Sequence, residues 1–195
     1  ALEQLGFPET TVICKPSSGR GGRGVYILEG NAIAPTWLGA GKREARISPV
    51  DLPHHKLMHE LSKGYLIMPQ LYTPAYDADV FPTHGGDLRA VVRQRVNPAG
   101  IPFAGNIFEH PDDAVDYCLA VANSLSLNGI HDIDLMTGRD GRVCLLEVNP
   151  RPSGSLAISL IAGLPIVDIV IGKSLGINIH YKEIPSGLVV SPQNL

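Results

Sequence analysis

The stretch His131-Asp132-Ile133-Asp134-Leu135-Met136-Thr137-Gly138-Arg139-Asp140-Gly141-Arg142-Val143-Cys144-Leu145-Leu146-Glu147-Val148-Asn149-Pro150-Arg151 decides the reading of this chain. Two strand-like runs, 130–136 and 143–148, flank Asp140-Gly141, the dipeptide preferred in a two-residue type I′ hairpin turn, where both central residues need positive φ. If that turn sets the register, Asp134 faces Glu147 and Asp132 faces Asn149. Residues two apart on a strand share a face, so all four side chains then project together. Like charges opposed across a ladder repel, and such a cluster makes sense with a cation on it. Asp, Glu and Asn offer a few hard oxygen donors, which suits Mg²⁺, an ion that keeps water and phosphate oxygens as its other ligands. The bland alternative is a solvated cluster at a sheet edge. A three-residue loop would shift the register and break the argument.

Directly after this ribbon, Pro150-Arg151-Pro152-Ser153-Gly154-Ser155 sets a cation and two hydroxyls beside the acids. Arg151 has the fork to hold a phosphate or carboxylate in bidentate fashion, and its competing reading is a surface arginine in a turn. Two apolar helical segments follow, 156–162 and 166–175, divided by Gly163 and Pro165. Before the ribbon, residues 111–127 carry the best helix, with Asp112 and Asp113 in its first turn and Val115, Cys118, Leu119, Ala122 and Leu125 at helical spacing. Residues 65–68, 76–81 and 88–96 read as strands, 57–61 as a short helix, and 29–53 as irregular. The fold class is α+β, with largely antiparallel sheets.

Near the start, residues 11–15 and 25–28 are β-like and enclose a glycine-rich loop at 19–24. Gly19, Gly21 and Gly24 satisfy G-x-G-x-x-G, but a dinucleotide fold needs a helix immediately after the loop, and Val25-Tyr26-Ile27-Leu28 is strand-like. No Lys-Ser or Lys-Thr closes a Walker A loop either. What survives is a hairpin whose tip, with Ser17, Ser18, Arg20 and Arg23, offers backbone N–H groups to a polyphosphate, with Lys15 as a fixed positive charge. An exposed turn with two solvated arginines fits the loop equally well.

The bulk properties narrow the class. With 195 residues, 44% hydrophobic, 18% charged and a formal net charge of -3, the chain is long enough for one large domain or two small lobes. That balance argues against nucleic acid, whose partners usually gather a basic excess on one face. No apolar run reaches the roughly 18 to 20 residues of a membrane helix, and the N-terminus does not read as a signal peptide, so no membrane partner and a cytoplasmic location are expected. Cys14, Cys118 and Cys144 are odd in number and sit among apolar neighbours, as buried free thiols of a reducing compartment would; a catalytic thiol is the sharper alternative. His55 and His59, spaced i and i+4 with His54 nearby, raise a zinc hydrolase, but no H-E-x-x-H glutamate accompanies them.

Together these stretches resemble the ATP-grasp superfamily, in its carbamoyl-phosphate-synthetase-like branch of carboxylate–amine ligases. The resemblance rests on Val12-Ile13-Cys14-Lys15-Pro16-Ser17-Ser18-Gly19-Arg20-Gly21-Gly22-Arg23-Gly24-Val25, on Ile67-Met68-Pro69-Gln70-Leu71 followed by Tyr76-Asp77-Ala78-Asp79-Val80, and on Leu145-Leu146-Glu147-Val148-Asn149-Pro150-Arg151. It implies ATP and Mg²⁺ as cofactors and activation of a small-molecule carboxylate as an acyl phosphate for attack by an amine or other nucleophile. In that frame Lys15 contacts phosphates, Ser18, Gly19, Gly21, Gly22 and Gly24 belong to the mobile loop over them, and Met68, Pro69, Gln70 and Leu71 form the hinge that holds adenine. Asp134, Glu147 and Asn149 match the magnesium ligands, Arg93 or Arg95 the cation that steadies the transferring phosphoryl group, and Arg151 the arginine after the metal ligands. Ala75 stands where family members often carry a ribose-binding Glu, with Asp77 as substitute. The resemblance further implies a lid subdomain at 1–70 and a metal-binding, catalytic subdomain at 71–195. It also implies a preceding domain of about a hundred residues, so that the chain reads as a fragment or split-gene subunit with a separate N-terminal domain or subunit as partner. A homo-oligomer fits as well. The rival from another class is a nucleotide-binding regulatory or assembly module that has kept the fold without turnover.

Overall fold

The period-two alternation of Val12-Ile13-Cys14-Lys15 sends Val12 and Cys14 into a core and leaves Ile13 and Lys15 on the opposite face. The computed structural model of the protein describes residues 1–18, 24–31, 45–61, 64–97, 104–109 and 111–191. These fall into two compact units, Ala1–Leu71 and Tyr72–Leu195.

The first unit holds a four-stranded sheet built from β1 (Val12–Pro16), β2 (Tyr26–Leu28), β3 (Ala45–Ile47) and β4 (Tyr65–Pro69), in the order β3-β2-β1-β4. The β1–β2 and β1–β4 pairs are antiparallel and β2–β3 is parallel. Val12, Cys14, Tyr26, Leu28 and Ile47 pack with Leu52 and with Leu57 of α1 (Leu57–Glu60) to form its core. Segment 29–53, expected to be irregular, contains β3, whose pairing to β2 depends on a distant partner rather than on any local alternation.

In the second unit β5 (Tyr72–Pro82), β6 (Leu88–Arg95), β7 (Asn106–Phe108), β8 (His131–Thr137), β9 (Val143–Asn149) and β10 (Leu188–Val190) form one antiparallel sheet in the order β10-β7-β6-β5-β8-β9. One face carries Tyr76, Ala78, Val80, Ala90, Val92, Ile133 and Leu135, which pack against Ala114, Cys118 and Ala122 of α2 (Asp112–Ser124). The other face changes character along its length. At one end Phe81 and Val91 are covered by Ile158 of α3 (Leu156–Ile161) and by Ile166 and Ile169 of α4 (Ile166–Leu175). At the other end the same strand faces bear Asp77, Arg93 and Asp134, and the candidate site lies there.

Among the described residues no helix is long and apolar enough to cross a membrane. Cys14 and Cys118 are buried free thiols, pushed up to about 11 and about 12 by burial, and are inert as nucleophiles. Cys144 differs from that expectation and is only partly buried, because it lies on the edge strand β9.

Candidate functional site

β5 runs between β6 and β8, and this puts Asp77 opposite Arg93 on one side and Asp134 on the other. Two residues along, Asp79 lies opposite Asp132 on the same face. β9 adds Glu147 opposite Asp134 and Asn149 opposite Asp132. Asp134, Glu147 and Asn149, expected to meet, are therefore neighbours on one face.

They meet by a different route from the one expected. Asp140-Gly141 is not a two-residue type I′ turn. The Gly138 N–H donates to the Arg142 carbonyl at 2.8 Å, and Gly141 N–H to the Gly138 carbonyl at 3.0 Å, leaving Arg139-Asp140-Gly141 as a three-residue loop. Only Gly141 takes positive φ, at 81°, as the closing residue of such loops does. Near the loop the register is accordingly shifted, with Thr137 opposite Val143 and Leu135 opposite Leu145. A β-bulge then makes Leu146 an extra residue on β9, and beyond it Glu147 arrives opposite Asp134. The bulge keeps Val143 and Leu145 on the face of Leu135 and Val148 on the face of Ile133, all against the α2 core.

Three arginines serve the acids. The Arg95 Nη2 donates to Asp134 Oδ1 at 2.8 Å and its Nε to Asp77 Oδ2 at 3.3 Å. Arg151 Nη1 donates to Asp132 Oδ2 at 3.0 Å, with the side chain 55% exposed. Asn149 Nδ2 donates to Glu147 Oε1 at 3.0 Å and to Asp132 Oδ2 at 3.3 Å. Arg93 is different. It is 0% exposed, its Nε donates to Asp77 Oδ1 at 2.6 Å, its Nη1 pairs with Asp79 at 2.8 Å, and Nη1 and Nη2 donate to Ser159 and Ser153 hydroxyls. A direct contact between Arg93 and a phosphoryl group is thus corrected, because the guanidinium is sealed inside the protein with its donors engaged. Asp77 is likewise corrected as a ribose anchor. It is 1% exposed, and Arg93, Arg95 and Ser155 already occupy both its oxygens. Ala75 is buried opposite Met136 and contributes no polar group.

Burial pushes the Asp134 carboxyl up to about 8; Arg95 opposes the rise, while Asp132, Asp77 and Glu147 add to it. Burial also pushes Asp132 up to about 6, with Asp77 adding and Arg151 opposing. Asp132 Oδ1 is buried with no hydrogen-bond partner among the described residues. An orphaned buried carboxylate oxygen, next to two carboxylates and an amide of hard-oxygen type, fits a small divalent cation. In the present geometry Arg95 and the Asn149 amide nitrogen sit on these oxygens, and among the described residues no three His, Cys, Asp or Glu side chains converge on one metal position. The zinc reading of His55 and His59 accordingly lacks a third ligand; His55 Nδ1 instead accepts from Leu57 N–H at 3.1 Å.

In the first unit Lys15 lies opposite Leu66 of β4, and Met68, two pairs along, lies opposite Ile13, so Lys15 and Met68 project from the same sheet face. Pro69 ends β4, Leu71 is buried, and Gln70 has its Oε1 buried without a hydrogen-bond partner among the described residues. Ser18 is exposed, and Gly24 closes the loop with φ 75°. Gly19, Gly21 and Gly22, with Arg20 and Arg23, lie outside the described residues. Sequence reasoning missed Asp79 and Ser159. For Asp79 a signal existed, since Asp77-Ala78-Asp79 puts two acids on one strand face, whereas Ser159 reads simply as a helix residue.

The arginine-specific large chain of carbamoyl phosphate synthase from Geobacillus stearothermophilus is 29% identical over 205 residues, which is 97% of this chain and 17% of that one. The chain thus spans about a sixth of the length of that curated relative. Biotin carboxylase from Campylobacter jejuni superposes with a TM-score of 0.65 at 14% identity, covering 92% of this chain and 40% of that one. The biotin carboxylase domain dimer of 2-oxoglutarate carboxylase from Hydrogenobacter thermophilus, solved with MgADP and bicarbonate, gives 0.62 at 16% identity, covering 96% and 41%. Both show the ATP-grasp fold. The family model for "ATP-grasp in the biosynthetic pathway with Ter operon" matches residues 62–194, more than half of the chain and all of the acidic face, and the chain belongs to that family.

Proposed function

We propose that this chain is the catalytic part of a ligase that binds Mg-ATP and activates a carboxylate as an acyl phosphate for attack by an amine or other nucleophile. One observation carries the reading. Asp77, Asp79, Asp132, Asp134 and Glu147 share a face with Arg93, Arg95 and Arg151, so that once all five carboxylates are ionised they outnumber the guanidiniums by the charge of one divalent cation. Membership of an ATP-grasp family and a neighbour solved with MgADP and bicarbonate support it.

In this reading Asp134, Glu147 and Asn149 hold Mg²⁺, which supplies charge neutralisation on the terminal phosphates when bound. Arg95 keeps its Nε on Asp77 and turns Nη2 from Asp134 toward the transferring phosphoryl group, and Arg151 gives that group a second cation. Lys15 is the first unit's candidate for a phosphate contact. A substrate carboxylate oxygen attacks the γ-phosphorus in line and ADP leaves; the nucleophile then adds to the acyl carbon and phosphate departs. Catalysis of this kind is positioning and charge neutralisation, and no residue of the face is required as a general base.

The test is ADP release that needs both Mg²⁺ and a carboxylate, screened with amino acids, small peptides and bicarbonate, and lost in Glu147→Gln. Release in Glu147→Gln at the unaltered rate would refute the site. A second reading, a nucleotide-binding module without turnover, draws on Ala75, which brings no ribose ligand; Mg-ATP binding with no ADP formed over hours would favour it.

A further inference from the structure

Arg93 sits where the second face of the β5–β6 sheet passes from apolar to charged. At the apolar end Phe81 and Val91 hold α3 and α4 by burial alone. A few residues away, burial is given instead to a full set of charges: Asp77 at 1%, Asp79 at 0% and Arg93 at 0% exposure. Buried ion pairs are a poor way to gain stability, because desolvation offsets most of their attraction, and apolar residues of similar size would hold the layers as well. What the charges add is direction. A planar guanidinium with its donors committed to Asp77, Asp79, Ser153 and Ser159 admits one arrangement of all four partners, which the point charge of a lysine does not.

The partners lead to the surface by two routes. Asp79 accepts from Ser153 twice, from its N–H and from its hydroxyl, each at 2.9 Å, and Asp77 accepts from the Ser155 hydroxyl at 2.7 Å. Ser153 follows Pro150-Arg151-Pro152, so the loop that presents Arg151 has φ fixed on both sides of the arginine and is tied down just beyond it. On the second route the Asp77 oxygen that takes Ser155 also takes Arg95 Nε at 3.3 Å. Arg151 and Arg95 are thus aimed from one buried point.

We propose that Arg93, with Asp77 and Asp79, is a positioning residue that sets Arg151 and Arg95 for the terminal phosphate from beneath the site, without touching the nucleotide. The inference rests on the Mg-ATP reading above. Its readout is the terminal phosphate alone, since a merely structural loss would weaken every nucleotide equally.

The experiment is calorimetric titration of the protein with Mg-ADP and with a non-hydrolysable Mg-ATP analogue. The variants are Arg93→Lys, the double variant Ser153→Ala/Ser155→Ala, Arg151→Ala, and the serine pair combined with Arg151→Ala. Expected is a tighter hold on the triphosphate in the unaltered protein. Both the lysine and the serine variants then lose that preference by tenfold or more, with Mg-ADP affinity held within about twofold. The combined variant loses less than the sum of the serine pair and Arg151→Ala, because the serines act in part through Arg151 and in part, by way of Asp77, through Arg95. If Arg93→Lys fails to fold, the serine pair, which removes only two hydroxyls, decides alone. Equal loss for both nucleotides, or additive losses in the combined variant, overturns the proposal. An unaltered protein that binds the triphosphate analogue no better than Mg-ADP overturns it too. An unaltered protein that binds neither overturns the Mg-ATP reading itself and this inference with it.

Discussion

Arg95 donates to Asp134 across 2.8 Å, yet the Asp134 carboxyl is still pushed up to about 8, because burial and three neighbouring carboxylates outweigh one guanidinium. An unfolded Asp ionises near about 4, so between that value and 8 the folded state holds a proton that the unfolded state has lost. The contribution of this group to stability is complete below the unfolded value and disappears as pH rises through the folded one. Asp132, raised to about 6, adds a smaller fall of the same sign at lower pH. Thermal unfolding without metal is expected to show Tm declining from pH 5.5 to 8.5, with the slope largely removed in Asp134→Asn. A Tm that climbs over that range would show the carboxyl to be ionised throughout.

In the proposed Mg-ATP reading, the metal would have to displace that proton. Titration of Mg²⁺ with ADP at pH 7, repeated in buffers of different ionisation enthalpy, is expected to release up to about one proton per site. Glu147→Gln is expected to abolish the Mg²⁺ dependence while leaving Tm unchanged at pH 7, where Asp134 is protonated, and unchanged or higher above pH 8, where it relieves the repulsion with ionised Asp134 across the ladder. A large drop in Tm would mean that Glu147 has a structural duty instead.

Lys15 projects from the same sheet face as Met68 in the first unit. Loss of a charge-assisted hydrogen bond to phosphate is worth about 1.5–3 kcal/mol, so Lys15→Ala is expected to weaken nucleotide binding by roughly ten- to a hundredfold. Unchanged affinity in a binding titration would remove Lys15 from the site.

Gly141 has φ 81° and open space around the position a Cβ would take. Gly141→Ala therefore meets no clash and suffers only the strain of the left-handed conformation, about 1 kcal/mol. Urea unfolding is the measurement, and a loss beyond about 2 kcal/mol would point to a contact other than backbone strain.

The acidic ribbon was readable because charge and apolarity alternate cleanly along Asp132-Ile133-Asp134-Leu135. The register inside it was not, because Asp140-Gly141 fits both a two-residue and a three-residue loop. A subtler clue existed in β9, where the core positions Val143, Leu145 and Val148 step by two and then by three, as a bulge requires. β5 begins at Tyr72 rather than Tyr76 because a register shift between Tyr72 and Ala75 accommodates Pro74 within the strand. The short strands β3, β7 and β10, each of three residues, have too few positions to show a period and are fixed by their neighbours. For the same reason Arg93 and Arg95, alike in sequence, separate only in three dimensions, where Arg93 is roofed by Ser153 and Ser159 and Arg95 is 22% exposed.

Because Leu146 is a supernumerary residue, the ribbon carries slack. A chain one residue shorter anywhere from Val143 to Leu146 can straighten β9 and still bring Glu147 level with Asp134, whereas a residue added there has nowhere to be absorbed and rotates the glutamate toward α2. Natural length variation in this strand is therefore expected to run toward deletion, and a protein lacking Leu146 should retain Mg-ADP binding in a titration where a one-residue insertion after Leu145 abolishes it.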